Sequence, residues 1–423
     1  MTAYITRPNS ATHPLVASSG LLGFVLSFAI VRCLPPFTEV VYNAMFMMLM
    51  TAVGVFVPDL LWQKIYLRQS TGMDWQRRDV VASRVGIKYL GLLTTLAMLA
   101  FIYWVTPEYR GGFYGRYYLL LAWLVPVWLV LAIPYFRFVD ARQINPCDGY
   151  WQAGLVVLGR WQEVDGGMLL QHVLGWLIKG FFVPLMFTYF CSDLSSLQVW
   201  NLNTLSQGFK YWFDFLYKAL FFIDVGWVSM SYLMSFRLTD SQLRSAEPTM
   251  SGWVVALLCY QPFWSLIGRQ YLDYETGFAW GAWLWSAPLA YGLWGSVILL
   301  LVLIYVWATV VFGARFSNLT HRGIITNGPY RFTKHPAYIA KNLSWWLVSV
   351  PFVANFRSDE VLRHCLLLLG LNLVYLFRAK TEERHLSRDS VYVDYALWVE
   401  QNGWFGWIRK VPLLRYAAYR APV

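Results

Sequence analysis

Long apolar runs recur from one end of the chain to the other, and they restrict the folds that the chain can adopt. Several reach the roughly 18 residues needed to cross the hydrocarbon core of a bilayer. Because lipid offers the backbone no hydrogen-bond partners, such runs cross as α-helices. The sequence therefore predicts an all-α, polytopic integral membrane bundle of about ten transmembrane helices, at residues 15–34, 40–57, 89–105, 117–135, 168–190, 216–236, 252–267, 288–312, 338–352 and 362–377.

The composition supports a membrane protein. The chain has 423 residues, of which 58% are hydrophobic and 13% are charged, whereas about a quarter are charged in a soluble protein. The net charge of +11 comes from Lys and Arg in the short loops between apolar runs. Such cations face anionic lipid headgroups, so we expect the bilayer as a partner and no nucleic acid.

The positions of these cations also predict an orientation. The loops rich in Lys and Arg all fall on one side if the N-terminus is cytoplasmic, so we expect both termini in the cytoplasm. The first run lacks the features of a cleaved signal peptide. We expect the cytoplasmic membrane rather than an internal one. Five scattered cysteines show neither metal-ligand spacing nor a disulfide framework, so we predict no metal site.

Four ionisable residues lie inside the predicted spans: His172, Lys179, Lys218 and Asp224. Such groups are functional candidates by default. We interpret them here as packed or snorkelling side chains. The alternative is a polar path through a transporter.

A polar loop at residues 237–253 contains Asp240, Arg244 and Glu247. The spacing of the first two is that of an ion pair on a helix surface. We interpret the segment as a solvated loop, and the alternative is a cytoplasmic wall of a substrate site.

The polar segment at residues 318–404 contrasts with the apolar chain before it. Its Asn-Gly-Pro-Tyr sequence at 327–330 is typical of a turn, and Pro336 suits the first turn of a helix. The start of that helix, with Arg331 and Lys334, offers a seat for a carboxylate or phosphate. We therefore divide the chain into a scaffold at residues 1–312 and a functional module at residues 313–423.

Further along, a helix places Arg378, Glu382 and Leu386 on one face, with Glu383 beside them. Tyr faces and carboxylates attract a sulfonium or an amine, and Glu accepts from ribose hydroxyls. These groups suit a ligand that has an adenosine, an amino-acid head and a sulfonium.

The same residues form a known pattern. Thr326, Gly328, Tyr330, Lys334-His335-Pro336 and Tyr338 precede an apolar helix, which is followed by Arg378-Ala-Lys380-Thr381-Glu382-Glu383 and by Tyr392 and Tyr395. This order resembles the isoprenylcysteine carboxyl methyltransferase family, whose pattern is T-x-G-x-Y-x-x-x-R-H-P-x-Y, then R-x-R-T-E-E and Y-x-x-Y. The resemblance covers about a fifth of the chain.

The resemblance implies methyl transfer from S-adenosyl-L-methionine to a lipid or lipidated acceptor that enters from the bilayer. It assigns cofactor binding to Gly328, Tyr330, His335, Pro336, Tyr338, Glu382, Glu383, Leu386 and Tyr395. Lys334, Arg378 and Glu383 become the catalytic candidates, and Lys341 and Asn342 the substrate-binding candidates. A carboxylate or phosphate acceptor needs a cation, namely Arg378, Lys334 or Lys341. An amine acceptor needs a base, namely Glu383 or His335.

Two departures from the family pattern concern the acceptor. Lys334 replaces the Arg before His-Pro, which keeps the charge and loses the bidentate fork. Ala340-Lys341-Asn342 replaces the usual small and aromatic residues. The sequence leaves the acceptor and the oligomeric state open. Two alternatives to the methyltransferase remain: an NADPH-dependent enzyme similar to sterol reductases, and a transporter or scaffold with a vestigial module.

Overall fold

The computed structural model describes residues 6–275, 278–353, 358–406, 410–411 and 414–416. The last seven residues of the predicted module lie outside this part of the chain. The α-helices are α1 Pro14–Cys33, α2 Val40–Leu61, α3 Ala82–Val105, α4 Gly115–Asp140, α5 Gly149–Val157, α6 Gly166–Gln198, α7 Phe209–Leu233, α8 Met250–Leu257, α9 Arg269–Tyr271, α10 Trp280–Leu284, α11 Pro288–Val310, α12 Pro336–Ser349, α13 Ser358–Leu386 and α14 Ser390–Asn402. Two short strands, β1 Ser245–Ala246 and β2 Thr320–His321, pair antiparallel.

Short helical turns connect several of these elements. They are the 3₁₀ turns Ile65–Leu67, Gln69–Thr71, Pro107–Arg110, Gly112–Tyr114, Trp161–Glu163, Leu202–Gln207, Arg237–Thr239, Gly313–Arg315 and Gly328–Arg331, and a π turn at Trp264–Gly268.

The prediction of an all-α polytopic membrane protein is confirmed, and the count of ten spans is approximate. Within the described residues, seven helices are long and apolar enough to cross a membrane, namely α1, α2, α3, α4, α6, α11 and α13. The run predicted at 216–236 corresponds to α7, which also contains Lys210, Asp214, Lys218 and Asp224. The runs predicted at 252–267 and 338–352 are short: α8 ends at Leu257, and α12 has 14 residues.

Local sequence explains where several helices begin. Asp165 accepts a hydrogen bond from the Met168 amide and caps α6, and Asp389 caps α14 through the Val391 amide. Pro288 and Pro336 occupy the first turns of α11 and α12, where a missing N–H has no cost. Of these helices, α11 and α12 contribute residues to the site described below.

Helices α1 and α2 pack closely because glycines face each other. A Cβ atom at Gly54 would lie 2.5 Å from the carbonyl oxygen of Ser19, and one at Gly20 would lie 2.5 Å from a methyl of Val55. Close approach through small residues is the usual way in which membrane helices associate. This pair packs against α6 and α7, and the core contains Phe182, whose side chain is fully buried.

Buried arginines join the C-terminal part of the chain to the scaffold. The Arg315 side chain is fully buried, and its Nη1 lies 3.3 Å from Oδ2 of Asp59 in α2. Arg322 donates to the carbonyl oxygens of Ser231 and Phe316 at 2.9 and 3.0 Å. With the pairing of β1 and β2, these contacts hold the loop at residues 245–249 beside α13.

Candidate functional site

A polar cavity lies between α8, α11, α12 and α13, and the centres of water-sized spheres that fit inside it occupy about 100 Å³. Eight of the residues singled out from the sequence line it: Tyr330, Lys334, His335, Tyr338, Lys341, Arg378, Glu382 and Leu386. The structure therefore brings together side chains that lie up to 56 positions apart in the printed sequence.

One wall of the polar cavity combines a carboxylate with aromatic rings. The Tyr338 hydroxyl donates to Oε2 of Glu382 at 2.7 Å. The ring of His335 stacks on that of Tyr338, with centroids 5.5 Å apart and planes 6° apart. Tyr375 meets Tyr338 edge-on at 5.6 Å. A negative charge beside aromatic faces is suited to a cationic ligand.

Tyr330 adds a neutral phenol to this cavity. Burial raises the pKa of its hydroxyl well above the usual range, with Glu382 as a further cause. Burial disfavours the phenolate in the same way for any tyrosine. The Tyr330 hydroxyl therefore keeps its proton at physiological pH.

Arg378 lines the same cavity and has no carboxylate partner. Its guanidinium donates to Oδ1 of Asn318 at 2.5 Å and to the Tyr260 hydroxyl at 3.3 Å. The guanidinium carbon lies 5.1 Å from the Tyr338 ring centroid and 5.8 Å from that of Tyr375. Among the residues that the structure describes, no carboxylate lies within 4 Å of this buried cation. A buried charge is usually paired, so the geometry leaves Arg378 available to an anion in the cavity.

Lys341 is a second cation on the cavity wall. Its Nζ lies 5.2 Å from the ring centroid of Tyr305 and 5.5 Å from that of Trp345. The Tyr305 hydroxyl in turn donates to Asp224 at 2.6 Å. Asp224 of α7 thus holds Tyr305, and the Tyr305 ring lies beside Lys341.

Glu383 lies outside the lining of this cavity, and three cationic or imidazole side chains surround its carboxylate. Its carboxylate, 2% exposed, lies 2.7 Å from Lys334 Nζ, 2.9 Å from Lys380 Nζ and 3.3 Å from His335 Nε2. Glu383 is not among the residues that line the cavity. The structure gives it a position that holds Lys334, Lys380 and His335 together.

Four other predicted site residues lie outside the cavity wall. Gly328 adopts a left-handed φ of +56°, and a Cβ there would lie 2.8 Å from a Val311 methyl. Pro336 starts α12. Asn342 donates to the Tyr338 carbonyl oxygen at 2.7 Å. The Tyr395 hydroxyl donates to the Tyr330 carbonyl oxygen at 2.8 Å and so helps to hold Tyr330 in the cavity wall.

The sequence model of one family, isoprenylcysteine carboxyl methyltransferase (ICMT), matches residues 292–388. The C-terminal region matches the ICMT family. This finding confirms the resemblance seen in the sequence, and it supports a membrane methyltransferase. Comparisons with curated proteins and with solved structures gave no match.

The segment that matches the ICMT family contains all eight predicted residues that line the cavity. It begins inside α11, before the boundary at residue 313 that the sequence predicted. Tyr305 and Thr309 of α11 also line the cavity. The match does not favour a sterol reductase or a transporter.

Residues upstream of the ICMT segment complete the cavity, and of these the sequence indicated Glu247 alone, as the alternative of a substrate-site wall. They are Glu247, Gly252, Ala256 and Tyr260. Glu247 is 2% exposed and lines the cavity, which fits the alternative interpretation of its loop as a wall of a substrate site. The sequence feature that pointed to this segment was Glu247, which precedes the predicted helix start at Pro248.

Proposed function

We propose that the protein is an integral membrane methyltransferase that uses S-adenosyl-L-methionine and methylates a lipophilic acceptor at the cytoplasmic membrane face. The observation that carries this proposal is the polar cavity in the segment that matches the ICMT family. The cavity is lined by the carboxylate of Glu382 beside the rings of Tyr338 and His335. Arg378 also lines it and has no carboxylate partner among the described residues.

The residues present fit the cofactor. S-adenosyl-L-methionine supplies a methyl group bound to a sulfonium, a cation that carboxylates and ring faces attract. Glu382, Tyr338, His335 and Tyr330 would hold it, with Leu386 as an apolar contact. The neutral phenol of Tyr330 adds no opposing charge.

The two cations favour an anionic acceptor. Arg378 and Lys341 line the cavity, and an anion there would give Arg378 the charged partner that it lacks. A carboxylate or phosphate nucleophile needs alignment and exclusion of water rather than a base. An amine would need a base, and the carboxylate of Glu383 is already engaged by Lys334 and Lys380.

The membrane setting supplies the lipophilic character of the acceptor. Helices α11 and α13, which help to form the cavity, are both long and apolar enough to cross a bilayer. The loop cations favour a cytoplasmic position for the cavity mouth. An acceptor with an apolar chain would reach Arg378 from the lipid, and the water-soluble cofactor would enter from the cytoplasm.

The test is cofactor binding by calorimetry with the purified protein in lipid nanodiscs. We expect saturable binding of S-adenosyl-L-methionine and of its demethylated product, and no binding of NADPH. Incubation with methyl-labelled cofactor and a membrane lipid extract should then label a lipid in the wild type and not in Glu382→Gln. A folded, monodisperse protein that binds NADPH, or binds neither compound, would contradict the proposal.

A further inference from the structure

A second cavity, here called the lateral cavity, lies among α3, α4, α6 and α7. Its walls are almost wholly apolar or aromatic, and Trp104, Tyr118 and Leu93 at its rim are exposed. The lining includes Leu99, Tyr103, Tyr117, Trp176, Lys179 and Tyr232. No lining residue is shared with the polar cavity.

Lys179 is the one acidic or basic side chain in this lining. Its Nζ lies 5.0 Å from the Trp176 ring centroid. In the described part of the chain, no carboxylate lies within 4 Å of it, although Lys218 in the neighbouring helix pairs with Asp193 at 3.3 Å. Ionisable side chains inside membrane helices are costly and are usually paired or functional. The described residues place no counter-ion beside Lys179, and the anionic head group of a ligand would fill that role.

Two of the tyrosine hydroxyls in the lateral cavity are hydrogen-bonded within the protein. Tyr103 donates to the carbonyl oxygen of Gly180 at 2.7 Å, and its oxygen lies 3.2 Å from the Tyr117 hydroxyl. Since the Tyr103 proton is used, Tyr117 is the donor in that pair. Both protons are engaged within the protein. The basic side chain in the lining that can pair with an anion is Lys179.

We propose that the lateral cavity binds a long-chain carboxylate, with its alkyl chain against the apolar walls and its head group at Lys179. Protonated Lys179 carries a single positive charge, which matches a monoanion. A phosphate monoester carries a charge of about −1.5 to −2 at neutral pH and would bury an uncompensated charge. The apolar walls favour a chain, since each buried CH₂ contributes about 0.8 kcal/mol.

This site is separate from the proposed methyl-transfer site but is next to it. The Phe182 ring stacks on that of Tyr232 at 5.5 Å and meets that of Tyr260 edge-on at 4.9 Å. Tyr232 lines the lateral cavity and Tyr260 lines the polar cavity. One aromatic side chain thus separates the two. The lateral site does not depend on the protein being a methyltransferase.

The experiment is photo-crosslinking of the full chain in phosphatidylcholine nanodiscs with a diazirine derivative of palmitic acid. Crosslinked peptides are mapped by mass spectrometry, and unlabelled palmitate, hexadecanol and hexadecyl phosphate serve as competitors. We expect labels in α3, α4 and α6 at the lining residues. Palmitate should compete about tenfold or more better than hexadecanol, as for a hydrogen bond to a charged group, and better than hexadecyl phosphate.

Three variants separate the head-group contact from the fold. Lys179→Met should retain labelling but lose the preference for palmitate over hexadecanol. Lys179→Arg should keep the preference, and Lys218→Met is the matched control, which should behave as wild type. Labels outside the lining, or equal competition by palmitate and hexadecanol in the wild type, would overturn the proposal. Stronger competition by hexadecyl phosphate would overturn the carboxylate assignment. If Lys179→Met does not fold, the wild-type and Lys179→Arg competitions decide.

Discussion

Tyr338 and Glu382 lie 44 positions apart in the sequence and contact each other in one wall of the polar cavity, where the Tyr338 hydroxyl donates to Oε2 of Glu382 at 2.7 Å. This hydrogen bond joins α12 to α13 and holds the carboxylate beside the aromatic rings. If this carboxylate attracts the sulfonium, Glu382→Gln removes a charge and keeps the shape. We expect the affinity for S-adenosyl-L-methionine to fall by about tenfold or more, since hydrogen bonds to charged groups contribute about 1.5–3 kcal/mol.

Calorimetry measures this change, with two comparisons. Tyr338→Phe removes the hydrogen bond and keeps the ring, so its effect should be smaller. Asp214→Asn removes an exposed carboxylate that pairs with Lys210 and should leave the affinity unchanged. Wild-type affinity in Glu382→Gln would exclude Glu382 from the cofactor site.

Glu383 should behave differently from its neighbour. Its buried carboxylate lies beside Lys334 and Lys380, and breaking a buried pair typically costs about 3–5 kcal/mol because charges remain uncompensated. The lysines keep some contact with solvent, so we expect Glu383→Gln to lower the free energy of unfolding by about 2 kcal/mol. Its loss of cofactor affinity should be smaller than that of Glu382→Gln.

The pair of variants is compared by unfolding in mixed micelles and by calorimetry. Glu382→Gln should lose affinity with little loss of stability, and Glu383→Gln the reverse. If Glu383→Gln is as stable as wild type and fails to bind the cofactor, Glu383 is a ligand-binding residue rather than a structural one.

Helical spacing predicted part of this site well. Arg378, Glu382 and Leu386 are four apart, and all three line the cavity. Spacing alone could not separate Glu382 from Glu383, because consecutive residues of a helix point about 100° apart and either could face the ligand. In the structure Glu382 lines the cavity, and Glu383 pairs with Lys334 and Lys380.

Long-range pairing could not be predicted from the sequence. Ser245 and Ala246 pair with His321 and Thr320, which brings Glu247 to the cavity although it lies in a loop far upstream. Hydropathy likewise predicted a span at 338–352, whereas the helix begins at Pro336 and ends after 14 residues. The hydropathy pattern of a segment indicates whether it is buried. The segments that it contacts depend on the whole fold.

Arg378 should act on the acceptor rather than on the cofactor. Arg378→Lys keeps a positive charge and loses the planar fork that reaches Asn318 and Tyr260. We expect methyl transfer to fall by about 100-fold, the effect of removing one electrostatic contact in an active site. Cofactor affinity should change less than about threefold.

Labelled methyl transfer and calorimetry are measured on the same preparation of Arg378→Lys. Lys380→Arg is the matched control, since that lysine pairs with Glu383 outside the cavity. Loss of cofactor binding in parallel with activity would instead place Arg378 in the cofactor site.

His321 should make the protein less stable in mild acid. Burial lowers its pKa from 6.5 to about 4; Asp389 opposes this shift, and Arg244 adds to it. Between pH 6.5 and pH 4 the imidazole is protonated in the unfolded chain and neutral in the folded one. The contribution of His321 to stability is therefore fully present above pH 6.5 and is lost as the pH falls towards 4. From pH 7.5 to pH 5, His321 should cost about 2 kcal/mol. His321→Gln cannot titrate, so it should lose correspondingly less stability over this range when both proteins are unfolded in mixed micelles. Equal losses in the two proteins would show that His321 is not buried as the structure describes.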